Sequence, residues 1–406
     1  MNLIIIGGGP AGMMAAIKAK EINPDCHVQI LEQNEKLGKK LFITGKGRCN
    51  VTNNCSRDIF LNSIVSNPKF MFTSLAEFDP NDCIDFFTNN NCPLKTERGN
   101  RVFPTSDKSS DIIKCLEKKL KSLNVEIWLN TKVLSILKAD NKFIIKTTDN
   151  QLTADKIIVA TGGNFYKATG STGDGYTFAK KFNHNIISPK PSLVGFITKQ
   201  KQDMAGLTLK NIAASLFVNG KKIKEEFGEL LFTHKGISGP TILTLSSLYE
   251  KGRGNYHVSL DLKPALDEAT LDKRIVKDFE ELKNKELKNC LNMLLPASLT
   301  KYVIEQAKLN PLKQANSVTV SERKILISVL KNFNLYIEDV DNPDSAIITR
   351  GGVDVKEINP KTMESKLEKG LYFCGEVLDV DALTGGFNIQ IALSTGVTAG
   401  KNAVME

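Results

Sequence analysis

The chain has 406 residues, 41% of them hydrophobic and 24% charged, with a net charge of +9. That is the composition of a soluble globular protein of two or three domains, and it excludes a disordered or collagen-like chain. No apolar run reaches the roughly 18–20 residues that cross a bilayer.

Residues 2–6 form an apolar run that breaks at Gly7, Gly8 and Gly9. The run is short, lacks a basic start and passes straight into glycines, so no signal peptide is expected and the expected location is the cytoplasm. A helix of small residues follows. Gly12, Ala15 or Ala16, and Ala19 share one face, small enough to lie close on a sheet. A second apolar run, His27–Leu31, ends at Glu32. Strand, glycine turn, helix, strand and acid make a βαβ unit.

The spacing then predicts an amphipathic helix over 108–122 and strands at Val125–Leu129, Val133–Leu137, Phe143–Thr147 and Lys156–Ala160. Near Pro189–Pro191 the rhythm changes. Short strands (Ile212–Val218, His257–Leu262) lead into helical stretches over 271–289, 296–308 and 321–332, and the βα alternation resumes at Ile347. Leu371–Cys374 reads as a strand and 388–403 as a long small-residue helix. The fold class is therefore α/β: a discontinuous Rossmann-type domain, 1–190 plus 346–406, interrupted by an inserted domain over 191–345 with a β-rich and a helical part. The insert is expected to cap the site and take the substrate.

The eight cysteines contain no CxxC pair, so neither a disulfide framework nor a metal site is expected. The lysines are dispersed, with no compact basic stripe, and no stable nucleic-acid or membrane partner is expected. Oligomeric state is left open.

In Gly7-x-Gly9-x-x-Gly12 the first glycine permits the tight turn, the second lets the backbone approach a pyrophosphate, and the third lets helix and strand pack closely. Pro10 suits the first helical turn, where its missing N–H is not needed. The amides from Ala11 onward face the phosphates with the positive end of the helix dipole. Glu32, followed by Gln33, offers an acceptor to ribose hydroxyls.

Two further features select FAD over NAD as the bound nucleotide. Ile157–Gly163 is a strand stopped at Ala160-Thr161-Gly162, resembling the element with which two-domain flavoproteins cover their cofactor. Leu371–Glu376 ends in Gly375-Glu376 and leads to a second glycine turn, Gly385-Gly386-Phe387-Asn388, at the start of the last helix. Val133 and Ile389 complete the expected cofactor contacts. No second GxGxxG motif is present, so any NAD(P)H is expected to visit transiently as an electron donor.

The stretch 38–53 (GKKLFITGKGRCNVTN), with Phe103-Pro104, the segment 228–240 (GELLFTHKGISGP) and the segment from Arg350 to Gly400, resembles the aminoacetone-oxidase-like and bile-acid-reductase-like bacterial flavoproteins. The resemblance covers essentially the whole chain. It implies oxidation of an amino-ketone or reduction of a double bond conjugated to a carbonyl, by hydride transfer through the flavin N5, on a small organic substrate. Arg48 and Asn50, in the glycine-rich loop that also carries Lys40 and Gly47, are candidates to contact the cofactor, with Arg48 beside the ring. His234 is a candidate proton donor or substrate anchor and Arg350 a candidate anion or carbonyl binder. An alternative reading is a flavin-binding regulatory or nucleic-acid-associated protein that uses the lysine-rich insert as its binding surface.

Overall fold

Asn2–Ile6 (β1) is an unbroken apolar run because it lies at the centre of a parallel sheet, covered on both faces. The computed structural model describes residues 1–405 and divides into two units, each with its own hydrophobic core. The larger unit comprises Met1–Ser192 and the segment from Asp344 onward; the smaller is Leu193–Pro343.

In the larger unit, β1 pairs with His27–Leu31 (β2) on one side and Lys156–Val159 on the other. Leu371–Phe373 and Glu126–Trp128 form the two edges, and all five strands are parallel. The turn after β1 starts the helix Pro10–Ile22 (α1), with Gly9 at its N-cap and Pro10 in its first turn. Only part of its small-residue face meets the sheet side. A Cβ on Gly12 would sit 2.0 Å from the Gly7 carbonyl oxygen, whereas the backbones of Ala11 and Ala15 meet Gly396 and Gly400 of the C-terminal helix Phe387–Val404. The small residues thus admit a second helix as well as the strand turn.

The insertion leaves this unit in two pieces, and specific contacts rejoin them. Leu371–Phe373 pairs in parallel with Lys156–Val159. Ile348–Val353 pairs antiparallel with Ile186–Ser192. His184, whose side chain is fully buried, reaches Ser365 Oγ at 2.8 Å through Nε2 and Glu357 at 3.1 Å through Nδ1. The Ser365 hydroxyl is itself held by the amides of Leu367 and Glu368, so this is a latch rather than a nucleophile with its lone pairs available.

The smaller unit closes six strands into a barrel, in the order Phe196–Thr198, Gly236–Ser238, Lys221–Phe232, Thr208–Val218, Tyr256–Asp261 and Phe333–Val340, the last pairing back with the first. Glu268–Glu281, Ala297–Gln306 and Val320–Lys331 are its longest helices. The helix predicted over 271–289 is interrupted: it stops at Glu281, and a short turn of helix resumes at Leu287–Cys290. Val320–Lys331 starts at a capping box in which Thr319 and Glu322 satisfy each other's backbone amides.

Burial lowers the His184 pKa below its ordinary value, against the opposing pull of Glu357. A histidine depressed in the folded state binds its proton more readily when unfolded, so the latch contributes fully above the unfolded value of about 6.5 and is lost as pH falls through the folded value. His184→Ala removes both bonds of the latch, to buried Ser365 and half-buried Glu357, and is expected to destabilise the protein by about 1–3 kcal/mol at neutral pH. In urea denaturation the difference from wild type should narrow as the solution is acidified.

Candidate active site

The turn after β1, the acid after β2, the glycine stop at 160–162 and the returning C-terminal segment converge on one cleft of the larger unit. The open space of this cleft, mouth included, is about 1240 Å³. Gly7, Gly9, Pro10, Ala11, Glu32, Gln33, Lys40, Val133, Ala160, Thr161, Gly162, Gly375, Glu376, Asn388 and Ile389 all line it.

The glycine turn divides its labour. A Cβ on Gly7, whose φ is +111°, would lie 2.4 Å from the Ala160 carbonyl oxygen, and one on Gly12 would strike Gly7; both glycines are structural. At Gly9 a Cβ would meet nothing within 4 Å, and its φ of −78° suits any residue. That empty space lies at the start of α1, which has no side-chain cap and no acid in its first turn. A helix end with free amides and an open cradle in front of it fits a pyrophosphate.

Glu32 is buried, yet its two oxygens keep capacity. Oε2 accepts the Gly8 amide at 2.7 Å, and Oε1 accepts the amide and side chain of Asn34 at 2.8 and 2.6 Å. A carboxylate offers about four lone-pair sites, which leaves room for ribose hydroxyls. Across the cleft Lys40 Nζ lies 3.0 and 2.8 Å from the two oxygens of Glu376, and Glu376 also accepts the Thr349 amide at 2.8 Å. Thr161 lines the cleft, but its Oγ1 is buried behind the wall, facing Gly175. These residues fit FAD: the Gly9 cradle and α1 would hold its pyrophosphate, Glu32 a ribose, and Lys40 and Glu376 its remaining polar edge.

Several expected positions are not brought to this cleft. Arg48 is the main correction: its guanidinium pairs with Glu97 and Asp107 and lies over the Phe103 ring, 4.1 Å from the centroid. Those two acids hold it as a structural cation. Asn50 accepts the Val102 amide at 3.1 Å and serves the adjoining small sheet. Gly47 and Gly12 also lie outside the lining. Gly386 has its Cβ direction blocked by Thr52, and Phe387 is buried against Phe60, so both shape the turn behind the wall rather than the wall itself. Cys49 is wholly buried, which pushes its thiol up to about 12 and argues against a reactive thiolate.

His234 is exposed in the turn between two barrel strands of the smaller unit, where Thr233 and Gly236 bond across it. Arg350 is half-buried in Ile348–Val353, next along the same face from cleft-lining Ile348. The sequence reading missed Asn34, Lys39, Thr131, Lys132, Ser171, Asp174 and Val380 on the wall. Asp174 carries a usable signal, because it follows Gly173 in a glycine turn that starts a helix.

The family model for the HI0933-like protein Rossmann domain matches residues 1–402. The chain belongs to this family. A 3-dehydro-bile acid delta(4,6)-reductase of Clostridium scindens is 31% identical to the HI0933-like chain over 408 residues, with 99% of each covered. A ribosomal RNA dihydrouridine synthase of Escherichia coli is 30% identical over 404 residues, covering 97% of this chain and 96% of the relative. Among solved structures, the 3-ketosteroid-delta4-(5alpha)-dehydrogenase of Rhodococcus jostii in complex with 4-androstene-3,17-dione shares the fold, with a TM-score of 0.51 at 13% identity over all of this chain and 96% of that one. No helix among the described residues is long and apolar enough to cross a membrane, and no cluster among them could hold a metal ion.

The open cradle at Gly9 yields a direct test. Gly9→Leu should fold normally, because nothing of the protein lies where the side chain would go, yet purify with at least about tenfold less flavin, read as the ratio of flavin absorbance to protein. Gly12→Ala should instead lower the melting temperature, since its methyl group collides with the Gly7 backbone.

Proposed function

We propose that this FAD-dependent oxidoreductase reduces a carbon–carbon double bond conjugated to a carbonyl, with a reduced nicotinamide dinucleotide as the electron donor. One observation carries the choice over amino-ketone oxidation. The full-length relatives at 30–31% identity are named for two unlike substrates but for one bond change. A delta(4,6)-reductase of a 3-dehydro bile acid saturates a double bond in line with a ring ketone. A dihydrouridine synthase makes the saturated form of a ring whose double bond is conjugated to a carbonyl. Bound FAD supplies hydride transfer at N5.

The chain's own residues have three tasks in such a reaction. The α1 end and Glu32 fix the cofactor by its phosphates and ribose, which leaves the ring end free to meet a substrate. Lys40 and Glu376 neutralise one another across the cleft and so hold the short helix Lys39–Ile43 against the C-terminal return. Arg350 supplies a cation for the carbonyl oxygen, where negative charge develops as the hydride adds. The net charge of +9 favours an anionic substrate, which a bile acid and an RNA both are.

His234 belongs to the inserted unit that we assign to the substrate side, as an anchor or proton donor there. His234→Ala should slow turnover by about tenfold or more while leaving the bound flavin spectrum intact; unchanged turnover would return it to a structural role in its turn. The reaction itself is tested by anaerobic reduction of the flavoprotein with NADH and NADPH, followed by reoxidation with a 4-en-3-one steroid or a uridine-containing ribosomal RNA fragment. Reoxidation by a conjugated substrate in the absence of oxygen is the expected result. Reduction by amino-ketones with reoxidation by oxygen alone would overturn the proposal.

A further inference from the structure

Phe42 and Ile43 stand on the surface of the larger unit, 45% and 39% exposed. They end the short helix Lys39–Ile43, whose Lys40 and Leu41 line the cofactor cleft, and Thr44, next in the chain, lines it again. The exposed pair is therefore at the cleft's edge, and it is held there firmly. The Phe42 amide donates to the Gly38 carbonyl at 2.9 Å, and the Phe42 carbonyl accepts the Ser109 hydroxyl at 2.6 Å. Gly38 in turn lies so close to Ile113 that a Cβ would stand 3.0 Å from that side chain. An exposed aromatic ring on a fixed backbone loses little freedom when a partner covers it, which favours a contact surface.

The surroundings of the pair are cationic. Residues 36–48 carry Lys36, Lys39, Lys40, Lys46 and Arg48 and no acid. Acids outside the segment answer three of these: Glu35 pairs with Lys39, Glu376 with Lys40, and Glu97 and Asp107 with Arg48. Lys36 and Lys46 are exposed and form no ion pair among the described residues. The same is true of Lys108, which stands between Asp107 at the Arg48 pair and Ser109 at the Phe42 carbonyl. Lys36 Nζ lies over the Phe42 ring, 4.8 Å from its centroid, and Lys46 sits in the turn that follows Ile43 directly. Three uncompensated cations thus surround one exposed apolar pair at the edge of the cleft.

We propose that this patch is the docking surface for single-stranded RNA: Lys36, Lys46 and Lys108 take phosphates of the backbone, a base stacks on Phe42 beside Ile43, and a neighbouring uracil enters the cleft. The inference rests on the ene-reduction reading above and chooses within it, since it makes the substrate a ring of a polynucleotide and not a steroid. The charge pattern carries the choice. A bile acid brings one carboxylate on an apolar skeleton, and has no use for three separated cations outside the cleft. An RNA strand brings one phosphate per nucleotide, and the faces of its unpaired bases stack on aromatic side chains whatever the sequence. A base that is unpaired from the start also enters an active-site cleft without the penalty of leaving a duplex.

Fluorescence anisotropy of a labelled oligouridylate of about ten nucleotides, titrated with the flavin-loaded protein, tests the surface without turnover. Three phosphate contacts on a single strand predict a slope of about −2 in log affinity against log salt, or about twentyfold weaker binding at about 200 mM than at about 50 mM. Lys36→Gln, Lys46→Gln and Lys108→Gln together should bring that slope close to zero and weaken binding by at least about tenfold at the lower salt. Phe42→Ala should weaken it by about fivefold or more and keep the slope. Flavin content should be unchanged in both variants, because none of these four residues lines the cleft. The charge-matched control, Lys221→Gln, Lys251→Gln and Lys277→Gln in the smaller unit, should bind as wild type does. An equal loss in the control would assign binding to net charge and overturn the proposal. So would a wild-type protein that ignores the oligouridylate and uses Phe42 and the three lysines to bind phosphatidylglycerol vesicles. Anaerobic mixing of the photoreduced flavoprotein with the oligouridylate or a 4-en-3-one steroid keeps the two readings apart. RNA docking that the triple variant abolishes, with no reoxidation by either compound, refutes ene reduction and leaves the docking surface in place. Reoxidation by the steroid, with no RNA docking, refutes the surface and leaves ene reduction in place.

Discussion

The first helix and the last one touch backbone to backbone. A Cβ on Gly396 would lie 2.4 Å from the Ala11 carbonyl oxygen, and one on Gly400 would lie 2.1 Å from that of Ala15. Only glycine permits such an approach, and it occurs twice, one helical turn apart. This contact fixes the C-terminal segment beside the glycine turn of β1 and so brings Gly375 to within a methyl group's reach of Ala11. The cleft is assembled as a consequence. Its floor comes from the first turn of the sheet and its far wall from residues more than 350 positions later.

The same constraint explains why polar residues are buried along the last helix. Gln390, Ser394, Thr395 and Thr398 have no exposure worth the name, yet each finds a partner: the Phe78 carbonyl, a neighbouring turn of the helix, the Gly375 amide or Ser74. Thr395 is the informative case, since its hydroxyl accepts the Gly375 amide at 3.0 Å and thus sets the height of the turn that carries Glu376. A polar helix face here orients the wall of the cleft. A purely apolar face would pack as densely and orient nothing.

What was legible in the sequence follows from burial on two faces. The strands β1, β2, Lys156–Val159 and Leu371–Phe373 read as apolar runs because a covered parallel sheet demands them. Lys221–Phe232 was not read as a strand because its outer face alternates lysine and glutamate in solvent. A signal was present all the same: Asn219 and Gly220, both at positive φ, form the tight turn that pairs it with Thr208–Val218. The glycines of the site were legible because their roles depend on local backbone geometry. Arg48 was not, because its acid partners stand 49 and 59 positions away and nothing local announces them. Asp381 shows the complementary limit. A lone aspartate in a sequence reads as surface, and only the folded chain reveals that it is fully buried.

The two-piece construction of the larger unit has a consequence for how the protein is made. A ribosome delivers β1, α1 and β2 first, but the strand Leu371–Phe373 and the last helix emerge only at the end. The smaller unit, with a core of its own, is complete well before that point and can fold while synthesis continues. Until the C-terminal helix arrives, the small-residue face of α1 lacks its cover, and the cofactor cleft lacks a wall. Flavin loading is thereby tied to the last tenth or so of translation, and a chain truncated even shortly before its final helix is left with a nucleotide turn that has nothing to close upon.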